Sequence, residues 1–197
     1  YEALSNYPNA LVMEADIPYS KKLVKNIINK LQDVVLNVEK SDSGHIFLDI
    51  DGLNRLYGDD SNIVRLISNS VLSIIPNIDI RIGIGSSKWI AQMAASLSKK
   101  GRAYKVSGNP KNFLSRLSIS TLPISQNLME RLQSFGLETM GEIASLTKES
   151  ISAQFGKEGA KAWDLSNGID EGYLLSYQSE KDVSEFLEFP HPTVNIF

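Results

Sequence analysis

Apolar residues recur every three or four positions in several stretches of the chain, and this spacing is typical of one buried face of an α-helix. In the first stretch, Leu23, Ile27 and Leu31 share such a face. A proline or a short polar side chain stands at each start, which suits a first turn whose N–H groups have no intrahelical acceptor. The predicted helices begin near Pro18, at Asp60 or Ser61 (ending at Pro76), at Ser86 or Ser87, and at Asn109-Pro110.

Short segments between these helices alternate between apolar and polar residues or are wholly apolar, as β-strands are. The predicted strands are Ala10–Glu14, His45–Asp51, Ile78–Ile84 and Ala103–Val106. The resulting order β-α-β-α-β-α-β predicts an α/β (α+β) fold, and it matches a ferredoxin-like split βαβ domain as well as other α/β sheets. This order indicates a fold class and carries no information about function.

After Ser120 the pattern changes to four short helices joined by tight, glycine-containing turns. The third helix starts after Thr147, and the segment 156–159 leads into the fourth, which ends near Gly168. Such units are typical of helix-hairpin-helix domains, whose helix N-termini and glycine turns present N–H groups that can hold a phosphate. The alternative is a small helical domain in which the glycines only terminate helices.

Charge is distributed unevenly along the chain, whose formal net charge is −3. The segment from Ile80 to Met129 has eight basic residues and no Asp or Glu, so the remaining 12 basic and 23 acidic residues give −11 elsewhere. A basic segment in an acidic chain suits DNA, because its phosphates release counterions to Lys and Arg. Folding could equally scatter these charges over several faces.

Composition excludes several classes of protein. There is no cysteine, which rules out disulfides and thiolate metal sites. No apolar run approaches the ~20 residues that a membrane helix needs, and residues 1–6 have neither the basic nor the apolar part of a secretory signal. We therefore expect a cytoplasmic protein without membrane partners. The chain starts without Met and stops soon after an extended-looking stretch, so we expect it to be part of a longer protein.

Three segments in the right order together resemble the Y-family (translesion) DNA polymerases. Gly44–Gly58 is similar to the palm strand and turn with the family's second acidic motif, and Arg81–Val106 resembles its strand, turn, alanine-rich helix and following lysine. Leu122–Asp170 resembles its helix-hairpin-helix thumb. The resemblance implies a palm over residues 1–118 without the catalytic N-terminal strand and fingers, and a thumb over residues 119–172. Residues 173–197 would be a linker and the start of a little-finger-like domain.

The resemblance also implies a loss of catalysis. Active members use three carboxylates to hold two metal ions, and the first lies on a strand that this sequence does not contain. The other two form an Asp-Glu pair that falls here on Gly44 and His45. Glycine has no ligand side chain, and one His does not replace two oxygen donors for Mg²⁺. The chain therefore resembles the ImuB-like, catalytically inactive branch, for which we expect no cofactor.

Binding residues are carried over position by position. Lys99 matches the lysine that contacts the incoming triphosphate in active relatives. Within the preceding helix, however, Gln92 stands where the family has a lysine, and Ser96 stands where it has an acidic residue. In the first thumb hairpin the usual Gly-x-Gly turn is absent, so phosphate binding would fall to the amides after Ser125. The turn of the second thumb hairpin, residues 155–161, keeps the family's pattern better. The predicted DNA contacts are Gly156, Lys157, Gly159, Lys161, Ser125 and Lys88.

Asp49 and Asp51 lie on one predicted strand face and leave two interpretations open. They could serve the turn at Gly52-Leu53 structurally, since Asp side chains bond nearby amides. They could instead be displaced metal ligands of an active polymerase, and only then would the chain need Mg²⁺.

The function implied by the resemblance is non-catalytic: sequence-independent DNA binding in translesion synthesis, within the bacterial SOS response and at the nucleoid. Its implied partners are a catalytic polymerase subunit, the sliding clamp and the recombinase. Two alternatives stay open, namely an active error-prone polymerase and a protein scaffold that does not bind DNA.

Overall fold

A computed structural model of the chain describes residues 15–41, 44–170, 172, 174 and 175. The predicted strand Ala10–Glu14 and the extended stretch after residue 181 lie outside these residues. In chain order, the elements are α1 (Ile17–Gln32), β1 (Val38–Lys40), β2 (Ile46–Leu48), α2 (Asn54–Tyr57), α3 (Asp60–Leu72), β3 (Ile82–Ile84), α4 (Lys88–Leu97), β4 (Ala103–Lys105), α5 (Pro110–Leu114), a 3₁₀ turn (Ile119–Thr121), α6 (Gln126–Ser134), α7 (Met140–Ser145) and α8 (Lys148–Ser166).

Side-chain caps set the helix starts. The Ser87 hydroxyl accepts the amide of Ile90 at the start of α4, as predicted. Helix α3 is capped one residue earlier than predicted, because the carboxylate of Asp59 accepts the amide of Asn62. It also ends at Leu72 and does not reach Pro76. The predicted helix positions are thus confirmed, with shifts of one to four residues at the ends.

The strands are shorter than predicted and form two small sheets among the described residues. Strand β1, which the pattern did not predict, pairs antiparallel with β2 in register Val38↔Leu48. Strand β3 pairs parallel with β4, and it begins only at Ile82. Helix α4 connects these parallel strands, as a βαβ crossover does. The mixed α/β class is confirmed.

Two glycines on β3 and its turn allow helix α4 to pack directly on the strand. A Cβ on Gly83 would lie 2.0 Å from the carbonyl oxygen of Ala91, and a Cβ on Gly85 would lie 2.7 Å from the Ala91 amide. Backbone cannot move aside as a flexible side chain can, so only glycine fits at this contact. Gly83 and Gly85 therefore allow the close approach of α4 to β3.

The C-terminal half is helical, as predicted. Its last two predicted helices are the two legs of α8, which bends where Gly156 adopts φ 69° and ψ −157°. A left-handed φ is costly for residues with a side chain, so the glycine marks the turn between the legs. We call residues 148–166 the second hairpin below.

Two clusters of buried apolar residues form the core. The first packs α1 and β1 against α3 through Ile28, Val38 and Ile63. The second continues from α4 into the C-terminal helices, so that Trp89 and Ile90 share one cluster with Ile143. The indole N–H of Trp89 donates to the carbonyl of Leu165 at 3.0 Å. The C-terminal helices are therefore packed on the α/β part of the chain.

None of the helices among the described residues is long and apolar enough to cross a lipid bilayer.

Candidate nucleic-acid interface

The turn of the second hairpin is built by two glycines with different tasks. Gly156 is exposed, and nothing lies within 4 Å of a Cβ placed there, so its left-handed φ of 69° is what requires glycine. Gly159 is buried, and a Cβ there would lie 2.4 Å from the Cβ of Phe155. The first glycine sets the bend, and the second lets the start of the second leg approach the end of the first.

Lys157 and Lys161 begin the second leg, one helical turn apart, and both are exposed. Within the part of the chain that the structure describes, neither ammonium forms an ion pair with a carboxylate. Residues at i and i+4 lie on the same helix face. The two positive charges therefore stand together next to the N-terminal end of a helix leg, where the peptide dipoles also favour an anion.

Ser125, which precedes α6 in the first thumb hairpin, is hydrogen-bonded to the second hairpin. Its side chain caps α6 by accepting the amide of Leu128, while its own amide donates to the carboxylate of Glu158. The Ser125 hydroxyl also lies 2.9 Å from Oε2 of Glu158. A carboxylate of the same chain thus occupies the amide and the hydroxyl of Ser125 itself, which is a predicted DNA contact.

Arg131 on α6 holds the other side of the turn. Its guanidinium donates to the carbonyl oxygen of Gln154 at 2.7 Å and lies over the ring of Phe155, 5.2 Å from the ring centre. The carbonyls in the last turn of a helix leg lack intrahelical donors, so an Arg donor stabilises that end. The sequence pattern does not single out Arg131, because an Arg on a helix near a glycine turn is only a weak signal.

The two legs of the second hairpin are also tied near their outer ends. The ammonium of Lys148 lies 2.7 Å from both carboxylate oxygens of Asp164 and 5.8 Å from the ring centre of Trp163. The indole N–H of Trp163 donates to the carbonyl of Leu146 at 2.8 Å. The angle between the legs, and hence the direction of the Gly156 turn, is held from both ends.

Lys88, a predicted DNA contact, has an intramolecular partner. Its ammonium lies 2.9 Å from Oε1 and 3.1 Å from Oε2 of Glu39, with 22% and 15% of the two side chains exposed. Glu39 also accepts the amide of Leu175. Asp170 accepts the amide of Trp89 at 3.0 Å, so the chain that leaves the second hairpin is attached here to β1 and to the start of α4.

The basic segment from residue 80 to residue 129 is partly neutralised by acids outside it. Arg81 lies 3.6 Å from Asp79, and Lys105 is bonded to Asp60. The hydrogen bond from Lys105 is the main reason why the pKa of Asp60 lies below its ordinary value. Five exposed basic residues of the segment have no ion pair within the described residues: Lys99, Lys100, Arg102, Lys111 and Arg116.

The positions of the family's acidic pair lie at the start of strand β2. Gly44 is exposed with φ 78°, and the ring of His45 stacks on that of Phe47 with centroids 6.2 Å apart. Beyond the strand, the carboxylate of Asp49 accepts the amide of Asp51 at 3.1 Å. This is the local turn bonding that the structural interpretation of Asp49 expects.

These residues do not fit a magnesium pair. Two-metal sites need several carboxylates converging on both ions, and positions 44 and 45 supply none. Among the described residues, no three His, Cys, Asp or Glu side chains are grouped closely enough to hold a metal ion. One Asp49 oxygen is used by the Asp51 amide, and Asn37 Nδ2 lies 3.4 Å from the other. We therefore derive no metal-dependent step for this site.

Comparison with known proteins agrees with this architecture. Residues 1–96 match the impB/mucB/samB family (IMS). The DNA polymerase IV of Mannheimia succiniciproducens is 24% identical over 187 residues, which are 92% of this chain and 52% of that protein. The DNA polymerase IV of Yersinia pseudotuberculosis is 31% identical over 139 residues, or 70% of this chain and 39% of that protein.

A solved structure shares the fold. The crystal structure of DinB from Sulfolobus solfataricus superposes with a TM-score of 0.72 at 21% identity, covering 89% of this chain and 52% of that one. The chain spans about half the length of the curated relatives that it matches first. In its palm region, this chain is a homologue of the Y-family DNA polymerases.

Proposed function

We propose that this chain is the palm and thumb of a non-catalytic, ImuB-like protein that binds duplex DNA without reading its sequence and serves DNA damage tolerance. The observation that carries the proposal is the pair Lys157 and Lys161 at the Gly156 turn, exposed and without an acidic partner among the described residues. Backbone amides and lysines at a helix start contact phosphate oxygens, which are the same at every base pair.

The set of proposed DNA contacts, which we call the grip, is smaller than the set of contacts predicted from sequence. It comprises Gly156, Lys157 and Lys161, while the buried Gly159, also predicted as a contact, supports them by letting the two legs approach each other. Ser125 and Lys88 are left out, because each is bound to a carboxylate of its own chain. Lys99 is exposed and without an ion pair within the described part of the chain, so it is kept as a nucleotide or phosphate contact.

The non-catalytic part of the proposal is supported by Gly44 and His45. An active polymerase is the alternative, and the names of the curated relatives, DNA polymerase IV, favour it. It would need Asp49 and Asp51 as displaced ligands for Mg²⁺. Asp49 is already used by a turn amide, which makes it a poorer ligand than a free carboxylate. A protein scaffold without DNA binding is the other alternative.

The wider setting is proposed from the resemblance. Residues 1–118 would be the palm, residues 119–172 the thumb, and residues 173–197 a linker and the start of a little-finger-like domain. The partners would be a catalytic polymerase subunit, the sliding clamp and the recombinase. The protein would act in the bacterial cytoplasm at the nucleoid, in the SOS response.

Titration against a labelled primer-template tests the DNA grip. The variant Lys157→Glu plus Lys161→Glu should lose at least about tenfold in affinity at 50 mM salt, because two phosphate contacts become repulsive. Lys21→Glu plus Lys22→Glu is the matched control, since it changes the net charge equally on the exposed start of α1. Equal losses in the two variants would indicate unspecific attraction and refute a grip at the second hairpin.

Primer extension by the full-length protein tests the catalytic alternative. With Mg²⁺ and nucleotides, the proposal predicts no extension above that of a variant with Asp49→Asn plus Asp51→Asn. Extension by the unchanged protein that these substitutions abolish would establish an active polymerase instead.

A further inference from the structure

Glu158 stands between the two lysines of the proposed grip. It is adjacent to Lys157 and three positions before Lys161, and an i,i+3 spacing on a helix brings oppositely charged side chains within reach of an ion pair. Such a pair would halve the positive charge that the turn offers to DNA. Among the described residues, however, the Glu158 carboxylate forms no ion pair with either lysine.

Ser125 holds the carboxylate elsewhere. Its amide and hydroxyl both donate to Glu158, one to each carboxylate oxygen, across 33 positions of sequence. Glu158 is half-buried in this contact, whereas both lysines are exposed. The serine hydroxyl also accepts the amide of Leu128 at 3.2 Å, so the side chain that binds Glu158 is fixed by α6.

We infer that Ser125 is a positioning residue that keeps the Glu158 carboxylate away from Lys157 and Lys161, and that this leaves the two ammonium groups to DNA phosphate. The inference rests on the proposed function, and it gives Ser125 a role other than direct phosphate contact. Ser125 acts on DNA only through Glu158. Removing the charge of Glu158 should therefore make the identity of residue 125 irrelevant to DNA affinity.

A double-mutant cycle on a primer-template at 50 mM salt tests this coupling. Ser125→Ala keeps the amide bond to Glu158 but removes the hydroxyl bond, so one carboxylate oxygen becomes available to a lysine and binding should weaken about threefold. Glu158→Gln should strengthen binding about threefold, because a negative charge near the phosphates is lost. Ser125→Ala in the Glu158→Gln background should leave the affinity within about 1.5-fold of Glu158→Gln alone. Such non-additivity is expected for two residues in one contact.

Two further variants keep the outcome interpretable. Ser125→Thr retains a hydroxyl and a helix cap and should bind DNA like the unchanged chain. Circular dichroism of Ser125→Ala checks that α6 is still folded. If Ser125→Ala weakens binding equally in both backgrounds, Ser125 touches phosphate directly and the inference is overturned. An unchanged affinity for Ser125→Ala also overturns it.

The same titration separates this inference from the proposed function. If Lys157→Glu plus Lys161→Glu does not reduce binding more than its control, or if the unchanged chain does not bind, the proposed grip fails and this inference fails with it. If the lysine variant loses affinity but the Ser125 and Glu158 effects are additive, the grip stands and only the positioning role is refuted.

Discussion

Replacing Lys88 by Met should destabilise the fold and leave DNA binding unchanged. Lys88 connects the start of α4 to Glu39 of β1, and Glu39 in turn binds the Leu175 amide. Methionine keeps the apolar stem near the ring of Phe47, which the ammonium approaches to 5.8 Å from the ring centre. The substitution therefore removes the charge and little of the packing.

The exposure of the pair sets the magnitude. Exposed ion pairs contribute about 0–1 kcal/mol, and losing one partner of a fully buried pair costs about 3–5 kcal/mol. With 22% and 15% of the side chains exposed, the Lys88–Glu39 pair lies between these limits. We expect a loss of about 1–2 kcal/mol in the free energy of unfolding. At a urea m-value of about 2 kcal/mol/M, the midpoint should fall by about 0.5–1 M.

Urea unfolding at pH 7, followed by circular dichroism, measures this shift. Lys99→Met is the matched control, because Lys99 is exposed and without an ion pair among the described residues, and its midpoint should stay within about 0.3 M. Equal midpoints for the two variants would refute the reasoning. A normal midpoint for Lys88→Met together with weaker, less salt-sensitive DNA binding would identify Lys88 as a phosphate contact after all.

Three further substitutions test the fold and the hairpin. Gly83→Ala should cost about 3 kcal/mol of unfolding free energy, because its Cβ would lie 2.0 Å from the backbone of α4. The control Gly136→Ala has open space around the new Cβ and a φ of 75°, so it should cost only about 1–2 kcal/mol. Similar urea midpoints for the two variants would contradict the close contact. Gly156→Ala should weaken DNA binding at least about threefold in the titration while the helix content stays normal, since the strained φ shifts the turn. Asp60→Asn should lower the melting temperature at pH 7. The lowered pKa means that the Asp60 carboxylate stabilises the fold above its ordinary titration range, and this contribution disappears as the pH falls through the lowered pKa. The deficit of the variant should therefore shrink below about pH 4, and a deficit that grows in acid would refute the assignment.

Local features of the structure were predictable from sequence. The cap at Ser87 and the turn at Gly156 follow from a short polar residue before an apolar face and from a glycine between two helical patterns. The close approach at Gly83 follows from a glycine on a strand that is directly followed by a helix. Strand β1 was missed because its three residues, Val-Glu-Lys, are too few to show alternation.

Contacts between distant parts of the chain were not predictable. The Ser125–Glu158 bond spans 33 positions, and the Lys88–Glu39 pair spans 49. Sequence pattern assigns a residue to an element and a face, but it does not say which carboxylate of another element will face it. Basic residues are therefore easily overcounted as DNA contacts, since some of them serve the fold.

The salt dependence of duplex binding tests the central claim most directly. Each phosphate contact contributes about 0.9 to the slope of the logarithm of affinity against the logarithm of salt concentration. If Lys157 and Lys161 hold two phosphates, replacing both by Gln should reduce the magnitude of this slope by about 2. The matched replacement of Lys21 and Lys22 by Gln should leave the slope unchanged. A slope that is the same in the unchanged chain and in both variants would contradict a DNA grip at the second hairpin.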